Sequence, residues 1–331
     1  MSVLVFVHAA AAPSLVAPKV EWTSTARDGS TLQLLKDQSP LTMKAASEKP
    51  KGPALIVDRT KKFQEFAGFG GAFTEAAAIN WRKLDAAKQQ EVIDLYFGAP
   101  EDGGLGYTMG RVPINSCDFS PASYTFDDVR GDTNLDHFDS SVAHDVDNGM
   151  VPMILAAQAK AKSRGERVKL LASPWSPPAW MKLPVNGVQS MLASAKPNGL
   201  DPKMQRPWAT YFSKWIDAYK AHGVDVWGVT VQNEPEAVAG WEAMLWTPSF
   251  MASFVKDHLG PVLKAAHPEV LIVGLCVLRL APTHLAARTS PPHGCTIVAP
   301  SSHYCYDFTL SPFARSRAPL LAPTLAHQRP Q

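Results

Sequence analysis

An excess of charge of either sign is missing from this sequence. Its 331 residues carry 32 Lys and Arg against 30 Asp and Glu, a formal net charge of +2, so the balance offers no electrostatic footprint for nucleic acid or an anionic membrane. Cysteine is scarce as well. Three of the four cysteines (Cys276, Cys295, Cys305) fall in the last stretch and leave Cys117 alone in the body, which excludes a disulfide framework. The spacing of Cys295, His303 and Cys305 matches no standard zinc pattern, so neither a metal site nor a cofactor is expected. No apolar run is long enough to span a bilayer, and there is no Asn-x-Ser/Thr acceptor. The glycines at 68, 70 and 71 are not followed by Gly-Lys-Ser/Thr and have Glu75 beside them, which argues against a phosphate loop. A neutral, polar ligand fits these absences best.

What is present is a globular composition, 46% hydrophobic with nine tryptophans, enough for one large α/β domain or two smaller ones. Residues 1–18 are apolar and alanine-rich like a short secretory segment, although no Lys or Arg precedes the run. Residues 19–60 hold short strand-like runs, 31–35 and 54–57, between Gly, Pro and Lys clusters, and read as part of a small β-domain. From residue 61 to 275, strand-like and helical stretches alternate. Helical spacing covers 85–96, 151–163, 207–222 and 248–266, with Gly98, Gly165 and Gly223 as stops for the first three. Apolar strands are expected around 66–72, 107–115, 168–173, 226–231 and 270–275, giving five strands of a parallel barrel. The aromatic stripe Trp208, Tyr211, Phe212, Trp215, Ile216 and Tyr219 is read as core.

Three strand ends carry candidate chemistry. Val231-Gln232-Asn233-Glu234-Pro235 leaves a buried strand for a proline-braked turn with a carboxylate, and the proline predicts an extended Glu234. Either Glu234 is catalytic or Asn233 caps a following helix. Arg111 interrupts an apolar strand and calls for an acid or a ligand to satisfy its guanidinium. Pro174-Trp175-Ser176-Pro177-Pro178-Ala179-Trp180 is a stiff loop with two tryptophans that either stack on sugar rings or cap the core.

Five motifs, Gly68-Phe69-Gly70-Gly71-Ala72-Phe73-Thr74-Glu75, Arg111-Val112-Pro113, Ser116-Cys117-Asp118-Phe119-Ser120, Leu171-Ala172-Ser173-Pro174-Trp175 and Thr230-Val231-Gln232-Asn233-Glu234-Pro235, in this order, resemble the glucosylceramidases of glycoside hydrolase family 30 over about residues 22–275. The resemblance implies a (β/α)8 barrel with an associated β-sandwich, truncated here after the fifth barrel strand. It implies retaining hydrolysis of glucosylceramide or a similar β-glucoside in sphingolipid metabolism. The alternatives are a non-catalytic glycan- or glycolipid-binding remnant and a related hydrolase acting on another β-linked glycan. By resemblance Glu234 is the general acid/base, Asn233 contacts the sugar 2-hydroxyl, and Glu75 grips distal hydroxyls. Trp175 lines the sugar pocket and Arg111 lies against the catalytic carboxylates. A lysosome-like or secreted location and transient contact with a lipid surface go with the family; no protein partner is named by it.

After Leu275 the sequence changes character. Residues 276–331 contain no lysine and one acid, Asp307, with frequent proline and histidine. This tail is expected to be unstructured or foreign, and the nucleophilic glutamate of a retaining pair is expected to be absent, which leaves the chain inactive as written.

Overall fold

The computed structural model describes residues 19–20, 23–28, 31–37, 39–42, 60–274, 296–298 and 303–305. The chain divides into two units, Met1–Phe63 and Gln64–Gln331. In the first, β1 (Lys19–Val20), β2 (Thr23–Asp28), β3 (Thr31–Asp37) and β4 (Leu41–Thr42) form two antiparallel pairs, β1 with β4 and β2 with β3. The run 31–35 read as a strand is the start of β3, whereas 54–57 lies outside the described residues, as does the segment 1–18.

The second unit is organised on β5 (Gly70–Ala72), β6 (Met109–Ile114), β7 (Lys169–Pro174), β8 (Val226–Thr230) and β9 (Leu271–Val273). They lie side by side in chain order, every neighbouring pair parallel. Ala72, Arg111, Leu171, Gly228 and Leu271 line up across the five strands. A parallel sheet wound in sequence order with helical crossovers is the signature of an α/β barrel wall, and the five strands expected from the sequence are the five found. A further short pair, β10 (Thr296–Val298) and β11 (His303–Cys305), is antiparallel. The remainder of the tail lies outside the described residues.

The crossovers follow their local signals. Helix α1 (Glu75–Arg82) starts on Thr74, whose hydroxyl accepts from Ala77 N, and α2 (Ala86–Phe97) starts on Asp85, which accepts from Lys88 N; each cap contributes about 1 kcal/mol. Helices α3 (Ala143–Asp147) and α4 (Met150–Ser163) precede β7, and α5 (Gln205–Ala221) precedes β8. The aromatic stripe of α5 is buried throughout, as its spacing required. The helix expected over 248–266 is continuous but uneven. Between α6 (Pro248–Phe254) and α7 (Gly260–Ala266), residues Val255–Leu259 form a wider π turn. Pro261 supplies no N–H and its ring crowds the preceding turn, so the helix loosens just before it.

Close strand approach explains two glycines. A Cβ on Gly70 would lie 1.9 Å from the Met109 carbonyl oxygen, and one on Gly110 would lie 2.4 Å from the Phe73 ring. The first places β5 tightly against β6, and the second lets Phe73 cover the sheet just before α1 begins. This packing fixes where Glu75 emerges.

Candidate active site

The carboxyl ends of β5, β6, β7 and β8 deliver the candidate residues to one end of the sheet, where open α/β and barrel folds place their ligands. Arg111 is at the centre of the arrangement. Its Nε donates to Ser173 Oγ at 3.1 Å and its Nη2 to Asn233 Oδ1 at 2.8 Å. Its guanidinium carbon lies 4.6 Å from the centre of the Trp175 ring. Of the acid or ligand expected to satisfy this arginine, no acid among the described residues hydrogen-bonds it: two neutral oxygens and an aromatic face hold it, an arrangement a planar fork of donors suits. Burial lowers the Arg111 pKa, and the neighbouring Cys117, Asp118 and Glu234 work in the opposite direction.

The two tryptophans part company. Trp180 belongs to the hydrophobic core and its Nε1 donates to the Asp127 carbonyl at 2.9 Å, so it caps the core. Trp175, though buried, stands outside that core cluster, with Arg111 over its ring.

The turn after β8 corrects one expectation. Glu234 has φ +45°, in the left-handed region, rather than the extended conformation predicted from Pro235. A local turn bond and two tertiary bonds override that bias. Asn233 N donates to the Pro174 carbonyl at 2.8 Å, Ala237 N to the Glu234 carbonyl at 2.9 Å, and Trp246 N to the Pro235 carbonyl at 2.9 Å. A left-handed glutamate costs about 1–2 kcal/mol, and such strain gathers at functional sites. The alternative that Asn233 caps a helix is also set aside, since the next helix begins at Pro248 and is capped by Thr247. The Glu234 side chain is exposed, and among the described residues nothing hydrogen-bonds its carboxylate.

Glu75 has the opposite environment. It is the first residue of α1, only 2% exposed. Its Oε1 accepts from His144 Nε2 at 2.7 Å and from Asn148 Nδ2 at 3.1 Å, while Oε2 is buried with no partner among the described residues. The His144 ring stacks on Tyr124 at 3.5 Å. Tyr124 and Tyr219 donate to the two oxygens of the fully buried Asp145, at 2.8 and 2.5 Å. Desolvation raises the Asp145 pKa to about 7 against the pull of the two tyrosine donors. For His144, burial works downward, but the Glu75 hydrogen bond and charge, with Asp145 and Asp147, leave the pKa raised. A buried carboxylate oxygen without a donor costs about 1–3 kcal/mol.

Several residues of the site, some of them inside the motifs, were given no role from the sequence. Ser173 accepts from both Arg111 and Thr230 Oγ1, the latter at 2.6 Å, linking three strands through one hydroxyl. Gln232 donates to the Trp175 carbonyl at 2.6 Å, and Asn115, at φ +66°, donates to the Ser176 carbonyl at 3.1 Å. His144 and Asn148 stood in an unremarkable polar run. A positive φ at Asn115, compatible with asparagine, could have been suspected from its place at a strand end. A cleft of about 700 Å³ lies at the other end of the sheet, lined by Lys169, Val226, Trp227 and Val270 at strand starts, away from these groups. Among the described residues no cluster of three or more His, Cys, Asp or Glu could hold a metal ion, and no helix is long and apolar enough to cross a membrane.

Comparison with known proteins adds the following. The sequence model of the "Glycosyl hydrolase family 30 TIM-barrel domain" matches residues 66–285, continuing past Leu275. "Putative glucosylceramidase 3" of Caenorhabditis elegans is 38% identical over 215 residues, 63% of this chain and 38% of that protein. "Lysosomal acid glucosylceramidase" of Mus musculus is 34% identical over 235 residues, 69% of this chain and 43% of that protein. A solved endo-β1,6-glucanase superposes with a TM-score of 0.57 and 29% identity, covering 66% of this chain and 45% of that one. The chain thus spans about two fifths of the length of the curated relatives it matches.

Proposed function

The chain belongs to glycosyl hydrolase family 30, and on that premise we propose that it carries the sugar-binding and acid/base half of a retaining β-glucosidase site, with glucosylceramide as its substrate class. The observation that supports this most strongly is the arrangement of Glu234 and Asn233 after β8. Arg111 holds the oxygen end of the Asn233 amide, which leaves the NH2 end to donate to a ligand hydroxyl. The carboxylate next in sequence stands exposed at the same strand end, open to protonate a leaving oxygen and then to activate water. Trp175, braced by Arg111 and by the Gln232 bond to its carbonyl, offers an apolar face for a sugar ring. Glu75 takes distal hydroxyls in this reading.

A retaining mechanism needs a second carboxylate about 5–5.5 Å from the acid. Beyond Glu269 the sequence contains one acid, Asp307, in a stretch with no counterpart to a nucleophile motif. The chain as given therefore binds a β-glucoside without turning it over, whereas a form supplying a strand-end glutamate turns it over with retention. The test is hydrolysis of a fluorogenic β-glucoside by both forms, with and without Glu234→Gln. Turnover by the longer form that survives Glu234→Gln would sink the acid/base assignment, and turnover by the present chain would sink its inactivity. The likeness to an endo-β1,6-glucanase favours a second reading in which the ligand is a β-1,6-linked glucan; comparing glucosylceramide with that glucan separates the two. A lysosome-like or secreted setting and passing contact with a lipid surface belong with the glucosylceramide reading.

A further inference from the structure

We propose that His144 and Asn148 are positioning residues for Glu75: together they occupy Oε1 and so present Oε2 as the single acceptor for one hydroxyl of the bound sugar. The proposal rests on the reading of Glu75 as a sugar contact and adds how one of its two oxygens is selected. A carboxylate can accept through either oxygen, so a lone glutamate reads hydroxyls loosely. Here both donors converge on one atom, His144 Nε2 at 2.7 Å and Asn148 Nδ2 at 3.1 Å. The 3.0 Å separation between those two nitrogens follows from that convergence, since an Nε2 that donates to Glu75 cannot also accept from Asn148. The other oxygen is buried and, among the described residues, has no donor. Buried acceptors left in this state call for a partner, and a sugar hydroxyl is a donor of the right kind.

The donors are themselves held. The His144 ring lies on Tyr124 with 24° between planes, and Tyr124 reaches the buried Asp145, which Tyr219 of α5 also grips. The short helix α3 is thereby bolted to α5, and His144 has little freedom to turn from Glu75. Asn148 is the C-cap residue of the same helix, with its own N–H tied to the His144 carbonyl. Both donors therefore arrive as a unit, supplied by the crossover before β7, while Glu75 comes from the end of β5.

The experiment is a saturation-transfer NMR titration of the full chain with methyl β-D-glucopyranoside and its monodeoxy analogues, in wild type, His144→Phe, His144→Gln, Asn148→Ala and Glu75→Gln. In the wild type one deoxy analogue binds about tenfold more weakly than the parent, the loss expected of a hydrogen bond to a charged acceptor. His144→Phe keeps the stacked ring without the donor and abolishes that discrimination, as does Asn148→Ala; His144→Gln, which restores a donor, recovers it. A merely structural role would weaken all analogues alike. Discrimination that survives both His144→Phe and Asn148→Ala overturns the proposal. Should His144→Phe fail to fold, Asn148→Ala and His144→Gln carry the same comparison. A wild type that binds the parent but discriminates no deoxy analogue overturns it too, with water then the partner of Oε2, and leaves Glu234 unaffected. A wild type that binds no β-glucoside overturns both this proposal and the functional reading beneath it.

Discussion

The two carboxylates of the site sit in opposite surroundings. Glu75 is buried, bonded twice on one oxygen and backed by Tyr124, Asp145 and Tyr219. Glu234 is exposed, unbonded among the described residues, and carried on a turn with a left-handed backbone. The difference matches the tasks proposed for them. A group that recognises a hydroxyl gains from being fixed, because orientation is its whole contribution. A group that donates and retrieves a proton must reach the substrate and water, and a bonded carboxylate would hold its charge too firmly for that. Rigidity therefore belongs to the first region and accessibility to the second.

Mutations should separate the two regions by stability. Asp145→Ala removes the acceptor of two buried tyrosine hydroxyls and is expected to cost about 3 kcal/mol, measured by urea unfolding. A loss below about 1 kcal/mol would mean that the Glu75 side is not the rigid one. Asn148→Ala removes one charge-assisted bond and should cost about 1–2 kcal/mol in the same assay. At the other carboxylate, Glu234→Gln should leave unfolding within about 0.5 kcal/mol of wild type, as befits an exposed, unbonded side chain. Glu234→Gly should stabilise slightly, by about 0.5 kcal/mol, because the left-handed φ no longer meets a Cβ while added chain entropy offsets part of the gain. Destabilisation by glycine there would show that the glutamate makes a stabilising contact in solution.

The pH response sharpens the same contrast, with smaller shifts. Burial raises the folded-state pKa of Asp145 to about 7, well above the ordinary carboxyl value of about 3.9. His144 is raised as well, the Glu75 bond outweighing desolvation. A group with a raised folded pKa binds its proton more tightly in the native state, so its contribution is present in acid and lost as pH climbs through that pKa. Lys182, buried between the Met191 and Ala243 carbonyls, is lowered to about 7 by desolvation. Its effect therefore falls above that pH, and it is protonated in both states below. Asp94, Asp132 and Asp139 are lowered, so their stabilisation fades only under more acid conditions, below about pH 4. Thermal midpoints should thus rise as pH falls from about 6.5, where the Lys182 contribution has nearly ended, to about 5, then drop below about pH 4. Asp145→Asn should flatten the rise, and a wild-type midpoint that declines steadily from neutral to pH 5 would contradict the assignment.

Much of this was legible in the chain itself. Five apolar strands with helices between them predicted the five parallel strands, because burial on both faces leaves a continuous apolar run. The α5 stripe and the Asp85 and Gly98 boundaries were equally plain, since periodicity and capping act within a few residues. Glu75, Arg111, Trp175, Asn233 and Glu234 could be named from motifs at strand ends. Their bonding could not, because Arg111 meets Asn233 across 122 residues and Glu75 meets His144 across 69.

The sequence by itself determined the order of elements, the family and which residues reach the carboxyl end of the sheet; each depends on local pattern or short motif. The tertiary structure decided that Arg111 is satisfied by neutral oxygens, that Trp180 faces the core while Trp175 faces Arg111, and that Glu234 turns left-handed against the bias of its proline. It alone brought His144 and Asn148 to a single oxygen of Glu75. Those outcomes depend on strand register and crossover packing, where bonds between distant residues outweigh local preferences of about 1 kcal/mol.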